Sequence, residues 1–256
     1  MLWYKFWLET RWRFIIGLVV LICSAGGSVF SYPLVVKLLP VASHIDLGNS
    51  RLAQEVAQAV ELSRTFGGYI WMHWFQQNFI QLWTLFAILI GSGGLVTRES
   101  GGSGLFTLSL PVSRERMLVT RVLTGLAELL VLSFVPALLI PLLSPAIGQS
   151  YGVLDALVYA TCVFVAGAVF FCGAILLSTE FPDLWRPLLF ALGAAMFLGV
   201  WEQFTREGAR FGVFHLMSAE VYFRGGSVPW IGLAASAMVS AALLYRALVN
   251  FERRDF

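Results

Sequence analysis

Three observations predict an all-α polytopic membrane protein. Of 256 residues, 58% are hydrophobic and only 12% charged, whereas a soluble domain carries about 25% charged residues. Mean hydropathy is +0.79. Apolar stretches long enough to cross a hydrocarbon core, about 20 residues each, recur six times along the chain. So little charge cannot solvate a globule of this size, which excludes a soluble enzyme or a disordered chain. The balance of 17 Lys+Arg against 15 Asp+Glu leaves a net charge of +2 and no basic surface for nucleic acid. The only lysines, Lys5 and Lys37, do not follow a glycine, so the G-x-x-x-x-G-K-[ST] phosphate loop is absent and the chain carries no P-loop ATPase of its own.

The predicted spans are 14–36, 70–95, 118–143, 154–177, 187–201 and 228–249, within a single transmembrane domain over 1–256. The first continues past the small residues Ser24–Ala25, which reads as a retained anchor and not a cleaved signal. Ahead of it, Leu2–Phe14 sets Lys5, Glu9 and Arg13 on one helical stripe and Trp3, Trp7 and Phe14 on the other side. That pattern predicts an N-terminal interfacial helix. Between the first two spans, 50–66 reads as a helix carrying Leu52, Val56, Ala59 and Val60 on one side and closed by Gly67–Gly68. After the fifth, the half-apolar run 211–223 is too short to span and is expected at the interface or dipping partway in. In the last span Gly232, Ser236 and Ser240 recur at i, i+4 and i+8, a small-residue stripe for helix contact within one subunit.

With the N-terminus inside, eleven basic residues fall on the cytoplasmic side and six outside, which predicts that both termini are cytoplasmic. Trp12, Trp71, Trp74, Trp185, Trp201 and Trp230 fall near span ends, as an aromatic belt requires. Cys23, Cys162 and Cys172 lie in apolar runs without C-x-x-C spacing and read as packing residues. His44, His73 and His215 are scattered on the outer side without paired ligand spacing, so no metal site is expected. The string Gly101–Gly104 matches the G-x-S-G of intramembrane serine proteases. Ser103 and every histidine fall on opposite sides of the bilayer, however, so no catalytic residue is assigned.

The most informative segment lies between spans two and three. Arg98–Glu99 and the glycines Gly101, Gly102 and Gly104 lead into an apolar run, 105–112, broken by Pro111. A cap-like Ser113 and Arg114–Glu115–Arg116 follow. Eight largely apolar residues are too few to span and too apolar to sit in water, so the run wants a partner surface or the membrane interface.

The run TLSLPVSRER (Thr107–Arg116), with Arg98–Glu99 before it, resembles the cytoplasmic loop of type-2 ABC exporter permeases. The N-terminal WYKFWLE (Trp3–Glu9) and the C-terminal FERRDF (Phe251–Phe256) agree. The glycine lead-in departs from the family's G-T-x-E by lacking its acidic residue. The resemblance implies a permease subunit in the cell (cytoplasmic/inner) membrane, paired with a second copy or a sister subunit. It also implies two separate ATPase subunits, which would bind ATP and Mg, so the chain itself is not an enzyme. By that match the loop forms a coupling helix with Leu105, Phe106, Leu108, Leu110 and Pro111 as docking residues. Arg114 and Arg116 flank them, and Glu99 lies at the base of span two. A related scaffold for haem, copper or envelope assembly, without net transport, is the second function it implies.

Glu128 is the only carboxylate deep inside a predicted span, about 9–15 Å from the inner surface at 1.5 Å per residue. Such a group normally faces a bundle interior or a water-filled cavity. Thr124 and Arg121, on the same helical face, are its expected partners, and Glu128 with Thr124 is the candidate translocation-pathway pair.

Single-cysteine labelling in intact cells tests the orientation. Cysteines at Gly48 and Gly225 should react with an impermeant maleimide, whereas those at Ser113 and Arg253 should react only after permeabilisation. Outside labelling at Ser113 overturns both the orientation and the coupling role of the loop.

Overall fold

The computed structural model describes residues 2–42, 59–92, 113–181, 183–205 and 212–253, and among these there is no strand. The helices are α1 (Leu2–Ala42), α2 (Phe66–Ile70), α3 (Ile80–Gly91), α4 (Arg114–Leu143), α5 (Val153–Glu180), α6 (Trp185–Phe204), α7 (Val213–Ser218), α8 (Glu220–Phe223) and α9 (Trp230–Arg253). A π-helical stretch, Trp71–Phe79, joins α2 to α3. Five helices are long and apolar enough to cross a membrane: Trp3–Leu38, Glu115–Ile147, Val153–Glu180, Trp185–Phe204 and Trp230–Phe251. The chain is a multi-pass helical membrane protein.

Helix α1 corrects the first expectation. It runs unbroken through Leu2–Phe14 into the span, so no separate interfacial helix exists there. The reason is local: the stretch holds no glycine or proline to interrupt the hydrogen-bond ladder. Its 41 residues rise about 62 Å, about twice the hydrocarbon core. The buried stripe is Phe6, Thr10 and Phe14, while Trp3 and Trp7 are exposed.

The segment predicted as span two is a continuous rod of α2, the π stretch and α3, which the π stretch divides into pieces too short to span alone. Thr65 caps it, its hydroxyl accepting from the Gly68 N–H at 3.2 Å. Gly67 and Gly68 therefore open this rod and do not close the preceding helix, which ends after 63. Trp71 and Trp74, expected in the aromatic belt, are buried at 3% and 0% exposure. Trp71 donates to Ser218 O at 2.9 Å and stacks on Phe223, and Trp74 stacks on Phe79 at 4.4 Å. Trp12, Trp185, Trp201 and Trp230 do face outward.

Helix α4 starts at Ser113, whose hydroxyl accepts from the Arg116 N–H. It ends through a 3₁₀ turn, Ser144–Ile147, closed by Gly148 at φ 72°, a conformation that glycine adopts without penalty. Helix α5 is the hub, packing on α3, α4, α6, α7 and α9. Cys162 and Cys172 pack in its buried face. Gly232, Ser236 and Ser240 are buried, and α9 lies chiefly against α5, so the small-residue stripe serves a contact within the subunit. Of the run 211–223, the described residues 212–223 form α7 and α8, separated by Ala219 at φ 46°. Leu216 and Met217 are buried, and Met217 packs by Gly167 and Trp83.

The contacts between helices fix their relative directions. Thr10 meets Glu128 and Gly26 lies beside Leu143, so α1 and α4 run parallel. Asn250 Nδ2 donates to Glu180 Oε1 at 3.2 Å, joining the C-terminal ends of α5 and α9. The short turn after α4 makes α5 antiparallel to it, so the first turns of α1 and the last turns of α9 lie at one end of the bundle. Tyr222 Oη donates to Asp155 Oδ1 at 2.8 Å at the other end, a bond that raises the Tyr222 phenol above its ordinary pKa.

Packing between helices in lipid depends on shape, since burial from lipid brings no hydrophobic gain. A Cβ at Gly167 would fall on the Trp83 ring and the Met217 methyl, whereas one at Gly173 would meet nothing within 4 Å. Gly167→Ala should therefore destabilise by about 1–3 kcal/mol, read as a melting temperature lowered by several degrees. Gly173→Ala should leave it unchanged.

Candidate functional site

Of the residues that the sequence nominated, Glu99, Leu105, Phe106, Leu108, Leu110 and Pro111 lie outside the described residues. Arg114 is the first residue of α4, and Arg116 and Glu115 are exposed on its first turn. Thr124, Arg121 and Glu128 are buried at 7%, 4% and 4% exposure, and together with α1 they form a polar seam.

The partner that captures Glu128 is on another helix. Thr10 Oγ1 lies 2.5 Å from Glu128 Oε1 and 3.0 Å from Phe6 O. A hydroxyl has one proton to donate. With Glu128 neutral, its own O–H can serve Thr10 while Thr10 serves Phe6; with Glu128 ionised the two acceptors compete for Thr10. Thr124, the expected partner, donates back to Thr120 O at 2.8 Å. Arg121 Nη1 approaches Glu9 Oε2 at 3.9 Å, and Lys5 Nζ approaches Glu9 Oε1 at 3.8 Å. Arg13 Nη1 donates to Leu89 O at 2.7 Å, near the end of α3. A cavity of about 10 Å³, the size of one water, touches Glu9, Thr10, Arg121 and Thr124. The seam holds α1, α3 and α4 together at the end where α1 begins.

A second feature was not anticipated. An open groove of about 1640 Å³ lies between the rod, α6 and the α7–α8 segment. Neither Glu128 nor Thr124 lines it. One wall is aliphatic, with Ile80 and Leu85 of the rod facing Leu192, Met196 and Val200 of α6. The other lining is polar: Gln76 and Gln81 from the rod, Gln203 and Glu202 from α6, and His215, Glu220 and Arg224 from the folded-back segment. The charged groups are engaged with one another or with backbone. Glu202 accepts from the Phe214 and His215 N–H groups, each at 3.1 Å. Glu220 accepts from Arg224 Nε at 2.7 Å and lies 3.3 Å from His215 Nδ1. The π stretch accounts for the amides. Its wider turn leaves three consecutive residues, Gln76, Gln77 and Asn78, facing outward, and such interruptions recur at functional sites.

Among the described residues, no group of three or more His, Cys, Asp or Glu side chains is placed to hold a metal ion. His73 packs against Tyr69 and His215 faces Glu220. Fold and seam define a helical multi-pass membrane protein with buried polar contacts between spans. No family model, curated protein or solved structure matches the chain.

The seam makes a distinct energetic prediction. Thr10→Val leaves a buried carboxyl without its partner and should destabilise by about 1–3 kcal/mol, whereas Thr10→Val with Glu128→Leu removes both polar groups and should recover most of that loss. Thermal unfolding in nanodiscs reads both. A loss in the double variant equal to the sum of the Thr10→Val and Glu128→Leu losses means that the two side chains are not coupled.

Proposed function

We propose that the chain is the permease subunit of a type-2 ABC exporter, with six spans in the cell (inner) membrane and both termini cytoplasmic. The rod 66–91 serves as the second span, alongside the five helices long and apolar enough to cross. It works as a dimer, with a second copy or a sister subunit, and with two separate ATPase subunits that bind ATP and Mg. The observation that carries this reading is the segment 98–116. A leucine-rich run broken by Pro111 and flanked by charge joins the rod to α4, whose facing ends are held by the seam; Ile90 packs beside Gly125. An apolar run of that length outside the spans calls for a protein surface or the membrane interface over it, and on this reading an ATPase groove supplies the surface. ATP binding would then shift the paired bundles between inward- and outward-open states through its different affinity for the two. Glu128 and Thr124 line a pathway in this cycle only when α1 parts from α4, because in the closed seam both face packed side chains.

Leu110→Asp tests the reading. A charge desolvated at a protein interface without a partner is costly by several kcal/mol, about 2 or more. The variant should still insert in the membrane and yet lose the ATP-hydrolysing subunit on purification, or uncouple hydrolysis from transport. Glu115→Gln should do neither, since a solvated charge contributes about 0–1 kcal/mol. A fully coupled complex carrying Leu110→Asp would overturn the proposal.

A further inference from the structure

The groove beside α6 has a composition that selects among ligands. Its charges are already spent on the protein. Glu202 holds the backbone at the start of α7, and Arg224 lies 2.5 Å from Glu220, which also faces His215. An anionic headgroup would have to draw Arg224 off its carboxylate, and a cationic one would have to draw Glu202 or Glu220 off theirs. What remains for a ligand is neutral. Gln76, Gln81 and Gln203 have no hydrogen-bond partner among the described residues, and each offers two donors and an acceptor. Gln76 and Gln81 stand exposed on a rod whose other residues, His73, Gln77, Asn78 and Thr84 apart, are apolar or aromatic, and lipid provides no partner for an amide. At the floor Thr84 is 5% exposed and its hydroxyl likewise has no partner. Facing this polar strip is the aliphatic wall of Leu192, Met196 and Val200, whose side chains border the lipid. The volume, about 1640 Å³, exceeds the roughly 300–1,000 Å³ of sites for drug-sized ligands.

We propose that this groove binds a neutral amphiphile: an alkyl chain along α6 and an uncharged, hydroxyl- or amide-bearing headgroup on Gln76, Gln81 and Gln203. As a surface for cargo it rests on the export reading. Binding is measured on this subunit alone, however, so loss of ATPase coupling and loss of the ligand can be told apart.

Three photoreactive probes with the same dodecyl chain separate the headgroup classes: a maltoside, a phosphocholine and a trimethylammonium. Each is titrated into the full chain in phosphatidylcholine nanodiscs, crosslinked, and mapped by mass spectrometry. The maltoside probe should label α6 and the rod saturably, at Met196, Val200 and Leu85, with the other two at least about tenfold weaker. Each hydrogen bond lost contributes less than about one such factor. Replacing Gln76, Gln81 and Gln203 together by Leu should remove the preference for maltoside while leaving the melting temperature unchanged, because all three are exposed. Gln203→Leu alone, at the end of α6, should lower it in part and serves where the triple variant does not fold. Equal labelling by the three probes, tighter labelling by either charged one, absence of label because a second copy covers the groove, or a preference that survives every glutamine replacement would each overturn the proposal.

Discussion

A buried charge in lipid has to be answered by another helix, and that constraint organises one end of this molecule. Arg121 and Glu128 lie on α4 at 4% exposure, where apolar packing offers nothing to either. Glu9, Thr10 and Arg13 of α1 supply the answer. Glu9 faces Arg121, Thr10 meets Glu128, and Arg13 reaches the carbonyl of Leu89. That carbonyl belongs to the last turn of α3, where backbone acceptors lack helical partners and a cation is favoured by the helix dipole. Three helices far apart in sequence are thereby fixed in register. It also explains why α1 is a single long helix: the residues that form the seam precede the span, and they work only if helix continues through them.

The opposite end is held by different chemistry. Trp71 donates to Ser218 O and stacks on Phe223 at 4.1 Å, and Tyr222 donates to Asp155. Aromatic rings with polar tips suit a place where hydrocarbon gives way to water. These contacts tie α7 and α8 to the rod and to α5 but leave α6 little to hold. Its buried stripe is only Pro187, Ala191 and Ala195, while Met196, Phe197, Val200 and Trp201 are exposed. The groove lies between the rod and α6, which is buried only along this narrow stripe.

Hydropathy made the spans legible, since a 20-residue apolar requirement leaves little freedom in where helices fall. The predicted end of span three, at 143, coincides with the end of α4, and Ser113 caps that helix as its place before Arg114 implied. What could not be read is whatever depends on a partner from a distant segment. Thr124 and Arg121 share a face with Glu128, so local spacing nominates them; Thr10 is 118 residues away and only the packing of α1 brings it in. The burial of Trp71 and Trp74 was hidden in the same way, because proximity to a span end says nothing of a folded-back segment such as α7–α8. The groove draws on three separated stretches, and its one local signal was the run Gln76–Gln77–Asn78, three amides inside an apolar span.

The rod connects the two ends, and this bears on how the proposed exporter could work. It ends at Gly91, ahead of the segment 98–116 that is proposed to dock an ATPase, and its last turn is bonded to Arg13. Its middle donates from Trp83 Nε1 to Leu129 O at 3.3 Å, and its π stretch carries Gln76 into the groove. A helix transmits displacement along its axis because its backbone bonds resist stretching, and packed cores switch between discrete arrangements instead of deforming smoothly. Movement imposed on the docking segment therefore has to break or carry along the Arg13–Leu89 contact before it reaches Gln81. The π stretch lies beyond the Trp83 anchor, where the ladder is already irregular and a shift of one residue in register requires the fewest new bonds. On the export reading, the seam sets the threshold for movement and the π stretch is where that movement changes the surface presented to a ligand.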